Sequence, residues 1–93
     1  MEKRLGVVSI LLESRDSVRT MNTILSDFGE LILARQGLPL RHKGIHVISL
    51  VVEGTTDEIG ALTGKLGRLE KVQVKSVLTR YREDDSDQTE DKA

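Results

Sequence analysis

The sequence contains no cysteine, which excludes disulfide bonds, thiolate metal ligands and a cysteine nucleophile. It has no tryptophan and only two aromatic residues, Phe28 and Tyr81, so its core must be aliphatic. No apolar run approaches the roughly 20 residues that a membrane-spanning helix needs. Residues 5–12 form a short apolar run, but it lacks the small residues of a signal-peptide cleavage site. A small domain without disulfides is typical of the cytoplasm, where we expect this protein to reside.

Charge is spread unevenly along the chain, although the net charge is only −1. Residues 83–93 hold six acidic residues and one lysine, whereas residues 1–82 hold 13 basic and 9 acidic residues. Such a polar, acidic terminal stretch is typical of disorder. The sequence therefore predicts one folded domain over residues 1–81 and a disordered acidic tail over residues 82–93, serving solubility, screening or interaction.

The first half of the chain predicts a strand, a helix and a second strand. Residues 4–12 are strongly apolar and β-branched, which favours a strand. Apolar residues at helical spacing predict a helix over residues 15–28, with Ser14 as its N-cap and Gly29 at its C-terminal end. Residues 30–37 predict a second strand.

The second half repeats this pattern after a turn. Residues 38–44 contain the only proline and predict the turn, and residues 45–54 predict a third strand. Thr55 and Glu58 have the spacing of a capping box at the start of a second helix. Residues 71–79 alternate polar and apolar side chains, which predicts a fourth strand with one wet face.

The order βαββαβ predicts an α+β, ferredoxin-like sandwich in which two helices cover one face of a four-stranded antiparallel sheet. In this topology the first and third strands are central, and here they are the most apolar. Both faces of these central strands are apolar, yet the helices cover only one. The other face predicts an oligomer interface, with six candidate residues: Val7, Ser9, Leu11, Val47, Ser49 and Val51.

Three glycines interrupt the second helix, although each costs about 1 kcal/mol there relative to alanine. The stretch from Gly60 to Leu66 has one residue too few for a phosphate-binding loop and lacks its Ser or Thr. At about 100° per residue, Gly60, Gly64 and Gly67 share one flank of the helix. That flank predicts close packing against the other helix or against a partner chain.

A basic cluster surrounds the predicted turn and is a candidate contact for an anion or a partner; it consists of Arg35, Arg41, His42 and Lys43. His42 and His46 are four residues apart, but no cysteine or nearby carboxylate completes a metal site. The central strands lack the aromatic residues on which RNA-recognition sheets stack bases. No catalytic constellation is present, so the sequence predicts a protein that is not an enzyme and has no metal or other cofactor.

Three segments, EKRLGVVSILLESRD, ILARQGLPL and DEIGALTGKLGRLEKVQVKSV, resemble a family of small proteins described as iron-only hydrogenase system regulators. The resemblance covers residues 2–79. It implies an ACT-like version of the ferredoxin fold, related to the sensing domain of nickel-responsive repressors, together with self-association and a regulatory role. The stretch QGLPLRHKGIHV lacks the cysteine that those repressors carry at this turn, so the resemblance does not extend to nickel binding.

The leading interpretation is a stand-alone regulatory module that forms a dimer or tetramer and senses a small ligand or binds a protein partner. One alternative is a nucleic-acid-binding transcriptional regulator that uses the basic surface of residues 1–82. Another is a purely structural assembly protein with no ligand. None of these interpretations involves a membrane.

Overall fold

The computed structural model describes residues 2–82, so the acidic tail predicted for residues 82–93 lies almost entirely outside the described residues. Four strands form one antiparallel sheet: β1 (Arg4–Leu12), β2 (Ile32–Leu40), β3 (Ile45–Gly54) and β4 (Val72–Arg82). Two helices, α1 (Val18–Asp27) and α2 (Thr56–Gly67), complete the fold. Neither helix is long and apolar enough to cross a membrane.

The spatial strand order is β2-β3-β1-β4, with β1 paired to both β3 and β4. The two most apolar strands are therefore central, which confirms the predicted ferredoxin-like topology. Side chains that alternate along each strand separate the two faces of the sheet. On β1, Val8, Ile10 and Leu12 are at most 1% exposed, whereas Val7 is 40% exposed.

The core lies between the sheet and the two helices and is aliphatic, as the shortage of aromatics requires. The central strands contribute Val8, Ile10, Leu12, Ile48, Leu50 and Val52, and the helices contribute Met21, Leu25, Ile59, Leu62 and Leu66. Phe28 is the one aromatic ring among the partly buried residues that pack against this cluster.

The predicted capping box is confirmed at the start of α2. The backbone N–H of Glu58 donates to Thr55 Oγ1 at 3.1 Å, and the backbone N–H of Thr55 donates to Glu58 Oε1 at 2.8 Å. Two helix-end donors are thereby satisfied.

The predicted start and end of the first helix are wrong in detail. Residues 15–17 form a 3₁₀ turn that leads directly into α1. Ser14 is an N-cap as predicted, but of this turn, where its Oγ accepts from the backbone N–H of Asp16. Gly29 has no positive φ, and it begins a second 3₁₀ turn over residues 29–31. Glycine at this position therefore does not provide the left-handed cap that we expected.

The boundaries predicted for β2 and its turn are also wrong. β2 starts at Ile32 and runs through Leu40, so Pro39 lies inside a strand opposite His46. An edge strand tolerates proline because its outward backbone positions need no ladder hydrogen bond. The actual turn is Arg41–Lys43, followed by Gly44 in the left-handed region at φ +67°. β4 is likewise longer than predicted and continues to Arg82.

Candidate functional site

The sheet face opposite the helices, which we call the open face, is one candidate site. The strand register aligns its side chains in three rows that cross all four strands. The middle row is polar and consists of Gln36, Ser49, Ser9 and Lys75. On one side of it lie Ala34, Val51, Val7 and Val77, and on the other side lie Leu38, Val47, Leu11 and Gln73.

Several apolar side chains of the open face are exposed in the single chain. Leu38 is 55% exposed, Val77 is 66% exposed and Val51 is 36% exposed. The six residues proposed from sequence as an interface all fall in these rows, since Val7, Ser9 and Leu11 on β1 pair with Val51, Ser49 and Val47 on β3. The structure thus brings them together, and their role as an interface stays a prediction.

The glycine flank of α2 faces away from the core. Gly60, Gly64 and Gly67 are exposed, and beyond the neighbouring backbone of α2 itself no described atom would lie within 4 Å of a Cβ added at any of them. Within residues 2–82 the flank therefore packs against nothing, and contact with a second chain is the part of the prediction that stands.

A groove of about 1170 Å³ lies on the helix side of the sheet, between α1 and the β2–β3 hairpin. Its ionisable lining residues are Arg15, Arg19, Arg41, His46 and Asp27. The helices cover the centre of the sheet but leave β2 exposed. On that strand only the two end residues are partly buried, and all the others are exposed. The groove is the space between this uncovered strand and α1.

The four basic residues predicted around the turn do not act as one cluster. Arg41 lines the groove, whereas His42 and Lys43 are exposed on the turn outside it. Arg35 reaches from β2 to α1, where its Nη2 donates to Asn22 Oδ1 at 3.0 Å. Asn22 also lines the groove. This hydrogen bond therefore joins the two walls of the groove, α1 and β2.

Sequence reasoning missed Arg15 and Arg19 as groove residues. They are four positions apart, a spacing that brings side chains onto the same side of a helix. That spacing was the available signal, but it could not show that the turn of the β2–β3 hairpin, more than 20 residues away, would face them. His46 was considered only as a metal ligand, and it lies on β3 against Gly37, whose added Cβ would be 3.2 Å from His46 Nε2.

One titratable group near α2 has a shifted pKa. The hydrogen bond from the backbone of Thr55 lowers the pKa of Glu58, helped by the Thr55 hydroxyl and the positive charge of Lys3, while partial desolvation opposes the shift. A carboxylate in the first turn of a helix is also stabilised by the helix dipole. The capping role of Glu58 therefore explains why a carboxylate lies at this position.

A four-stranded antiparallel sheet in the order β2-β3-β1-β4, with two helices on one face, defines an ACT-like ferredoxin fold. The ACT domain of GTP pyrophosphokinase from Chlorobium tepidum shares it, with a TM-score of 0.69 at 20% sequence identity over 81% of this chain and 99% of that domain. Similarity at this level concerns the fold alone.

The chain belongs to the family described as "TM1266-like: Iron-only hydrogenase system regulator, putative", which matches residues 4–76. The uncharacterized protein TM1266 from Thermotoga maritima is 40% identical to it, with a TM-score of 0.81 over 84% of this chain and 99% of that chain. No curated protein matches the sequence. The family and the ACT-like relationship expected from the sequence are thereby confirmed.

Proposed function

We propose that this chain is a cytoplasmic regulatory domain of the iron-only hydrogenase system that assembles with copies of itself and responds to a small ligand. It acts by binding and carries out no catalysis. The observation that carries the proposal is the open face, because a sheet with helices on one side and exposed valine and leucine on the other needs a partner for its second side.

A second copy of this chain fits the open face by symmetry. The polar row, with Ser9 and Ser49 at its centre, has an apolar row on each side. A twofold axis through the centre of the polar row would place polar on polar and apolar on apolar, which is the self-complementarity that a symmetric dimer requires. Contacts in such a dimer would be made mainly by Val7, Leu11, Val47 and Val51 with their counterparts.

The size of the face is suited to this role. Four strands of at least nine residues, at about 3.3 Å per residue and spaced about 4.8 Å apart, present a face of roughly 30 by 19 Å. Side-chain relief adds to this projected area and brings it towards the roughly 800 Å² per partner of a standard interface. A face of this size supports a specific dimer. Two such dimers could form a tetramer through the glycine flank of α2.

Light scattering coupled to gel filtration tests the assembly. The wild-type chain should have at least twice its monomer mass at micromolar concentration, and the double variant Val7→Lys/Val51→Lys should be monomeric. Both valines are partly exposed in the single chain, so lysine there does not enter the core. Thr20→Lys, which adds a charge at an exposed position of α1, is the control and should assemble normally.

A wild-type chain that is monodisperse and monomeric at micromolar concentration would contradict the proposal. So would a Val7→Lys/Val51→Lys variant that keeps the wild-type mass, because the interface would then lie elsewhere.

The alternative of nucleic-acid binding requires a continuous basic surface. The basic side chains are instead divided between the two layers of the fold. Lys65 lies over the ring of Phe28, 5.5 Å from its centroid, on the helix side. Lys75 pairs in register with Ser9 on the open face. This division favours a ligand or a copy of the chain as the partner.

A further inference from the structure

The groove between α1 and the β2–β3 hairpin collects positive charge from three separate segments. Arg15 comes from the 3₁₀ turn before α1, Arg19 comes from α1 itself, and Arg41 comes from the hairpin turn. His46 on β3 adds an imidazole, and Asp27 provides the one carboxylate among the lining residues. A concave surface lined by one sign of charge concentrates the field and attracts the opposite charge.

The three guanidinium groups are not used by the fold of residues 2–82. Arg4 donates from Nη2 to the carbonyl oxygen of Thr79 at 2.7 Å, and Arg35 donates to Asn22, so both are structural. Within the described chain, by contrast, Arg15, Arg19 and Arg41 make no side-chain hydrogen bond or ion pair. Guanidinium presents several donors in a planar fork that matches a carboxylate or a phosphate.

The rest of the lining is suited to an organic molecule. Val18 and Pro39 provide apolar surface, and Thr23 and Ser26 provide hydroxyl groups. A mainly apolar lining with a few placed polar groups is typical of small-molecule sites, and the volume of about 1170 Å³ is ample for a small organic ligand.

We propose that this groove binds a small organic anion, whose phosphate or carboxylate head is held by Arg15, Arg19 and Arg41. Its apolar body lies against Val18 and Pro39. This deepens the proposed function by naming the class of ligand that the domain senses, and it rests on that function for its regulatory meaning.

His46 completes the site by its position against Gly37. Because a Cβ at Gly37 would lie 3.2 Å from His46 Nε2, alanine there would shift the imidazole by a few tenths of an ångström. Gly37 is exposed and lies on an edge strand, so Gly37→Ala should alter the groove without unfolding the sheet. It offers a second way to perturb the site, independent of the arginines.

Isothermal titration calorimetry on the full chain tests the proposal with three probes of similar shape: isobutyl phosphate, 4-methylpentanoate and the neutral 4-methylpentanamide. At least one of the two anions should bind, and the amide should not. The phosphate and carboxylate arms also decide which head group the site prefers. Loss of one charged hydrogen-bonding partner should weaken binding about tenfold in each of Arg19→Gln and Arg41→Gln.

The controls separate this site from general charge effects. Arg80 is exposed on β4, at the sheet edge opposite β2, so Arg80→Gln should bind the anion as the wild type does. Circular dichroism of every variant establishes that it is folded. Gly37→Ala should weaken binding although it removes no charge.

Absence of binding by both anions at millimolar concentration overturns the proposal, and so does binding that survives Arg19→Gln and Arg41→Gln combined. Assembly is measured separately by light scattering. An oligomer that binds neither anion would refute this site and leave the proposed assembly intact. A monomer that binds one of the anions would support the site and refute the proposed assembly.

Discussion

At the scale of single residues, glycine has two distinct roles in this protein. A Cβ atom at Gly6 would lie 2.8 Å from Leu78 Cδ2 and 3.0 Å from the carbonyl oxygen of Val77, so β1 and β4 require a residue without a side chain there. At Gly64 the same atom would meet nothing within 4 Å apart from the nearby backbone of its own helix. Gly6 is required by packing, whereas Gly64 is not required by anything in the described chain.

We expect alanine to have opposite effects at these two positions. Gly6→Ala should lower the free energy of unfolding by about 1–3 kcal/mol, because the backbone of β4 must shift. Gly64→Ala should raise it by about 1 kcal/mol through helix propensity. Urea denaturation at low protein concentration measures both. A stability loss in Gly64→Ala would contradict the open environment of this residue.

The larger substitution Gly64→Leu tests the glycine flank as an interface between chains. If a second chain packs there, this variant should fold normally but show a reduced mass in light scattering. A variant that assembles like the parent would remove the flank from the interface and leave the three glycines of α2 without a structural reason.

Glu58 should make stability depend on pH. Its pKa is lower in the folded chain than in the unfolded chain, because the backbone N–H of Thr55 donates to its carboxylate. The contribution is therefore complete above the unfolded-state pKa and is lost as pH falls through the folded-state pKa. Wild type should be more stable than Glu58→Gln at neutral pH, and this difference should disappear in acid.

Urea denaturation of both proteins across a pH series measures this difference. Glutamine keeps an oxygen that can accept the same hydrogen bond, so the comparison isolates the charge. A difference that stays constant down to strongly acidic pH would mean that Glu58 does not titrate between the two states.

At the scale of elements, β1 is one of the two central strands of the sheet. It pairs with both neighbours, and its inward residue Ile10 is 1% exposed, whereas Val77 on β4 is 66% exposed. Ile10→Ala should cost about 2–5 kcal/mol because it leaves a cavity that the core fills poorly. Val77→Ala should change stability by less than about 0.5 kcal/mol.

Both variants should be compared at low protein concentration, so that any association through the open face does not contribute to the measured stability. Equal losses in the two variants would contradict the assignment of the inner and outer faces of the sheet.

The bounds of an element could be predicted where residues close in sequence determine them. β1, β3 and the capping box of α2 were predicted correctly because apolar runs and side-chain caps are local. The boundary of β2 was not, because only the position of a strand at the edge of the sheet makes Pro39 acceptable. Gly29 likewise suggested a cap, yet the chain continues into a 3₁₀ turn there.

At the scale of the whole molecule, the two candidate sites differ in how much of them the sequence contained. The open face follows from strand periodicity, so Val7 and Val51 were identifiable without coordinates. The groove depends on how α1 sits relative to a hairpin that follows it in sequence. Arg15 and Arg41 are therefore brought to one groove by tertiary structure, which no local pattern of residues encodes.

The β2–β3 hairpin belongs to both sites at once. Side chains alternate along its strands, so Pro39 and His46 line the groove while their neighbours Leu38 and Val47 belong to the open face. A ligand that favours the hairpin geometry of the assembled protein would tighten subunit association, and association would tighten ligand binding by the same factor. Thermodynamic linkage of this kind would allow the domain to report the concentration of a metabolite as a change in its own oligomeric state.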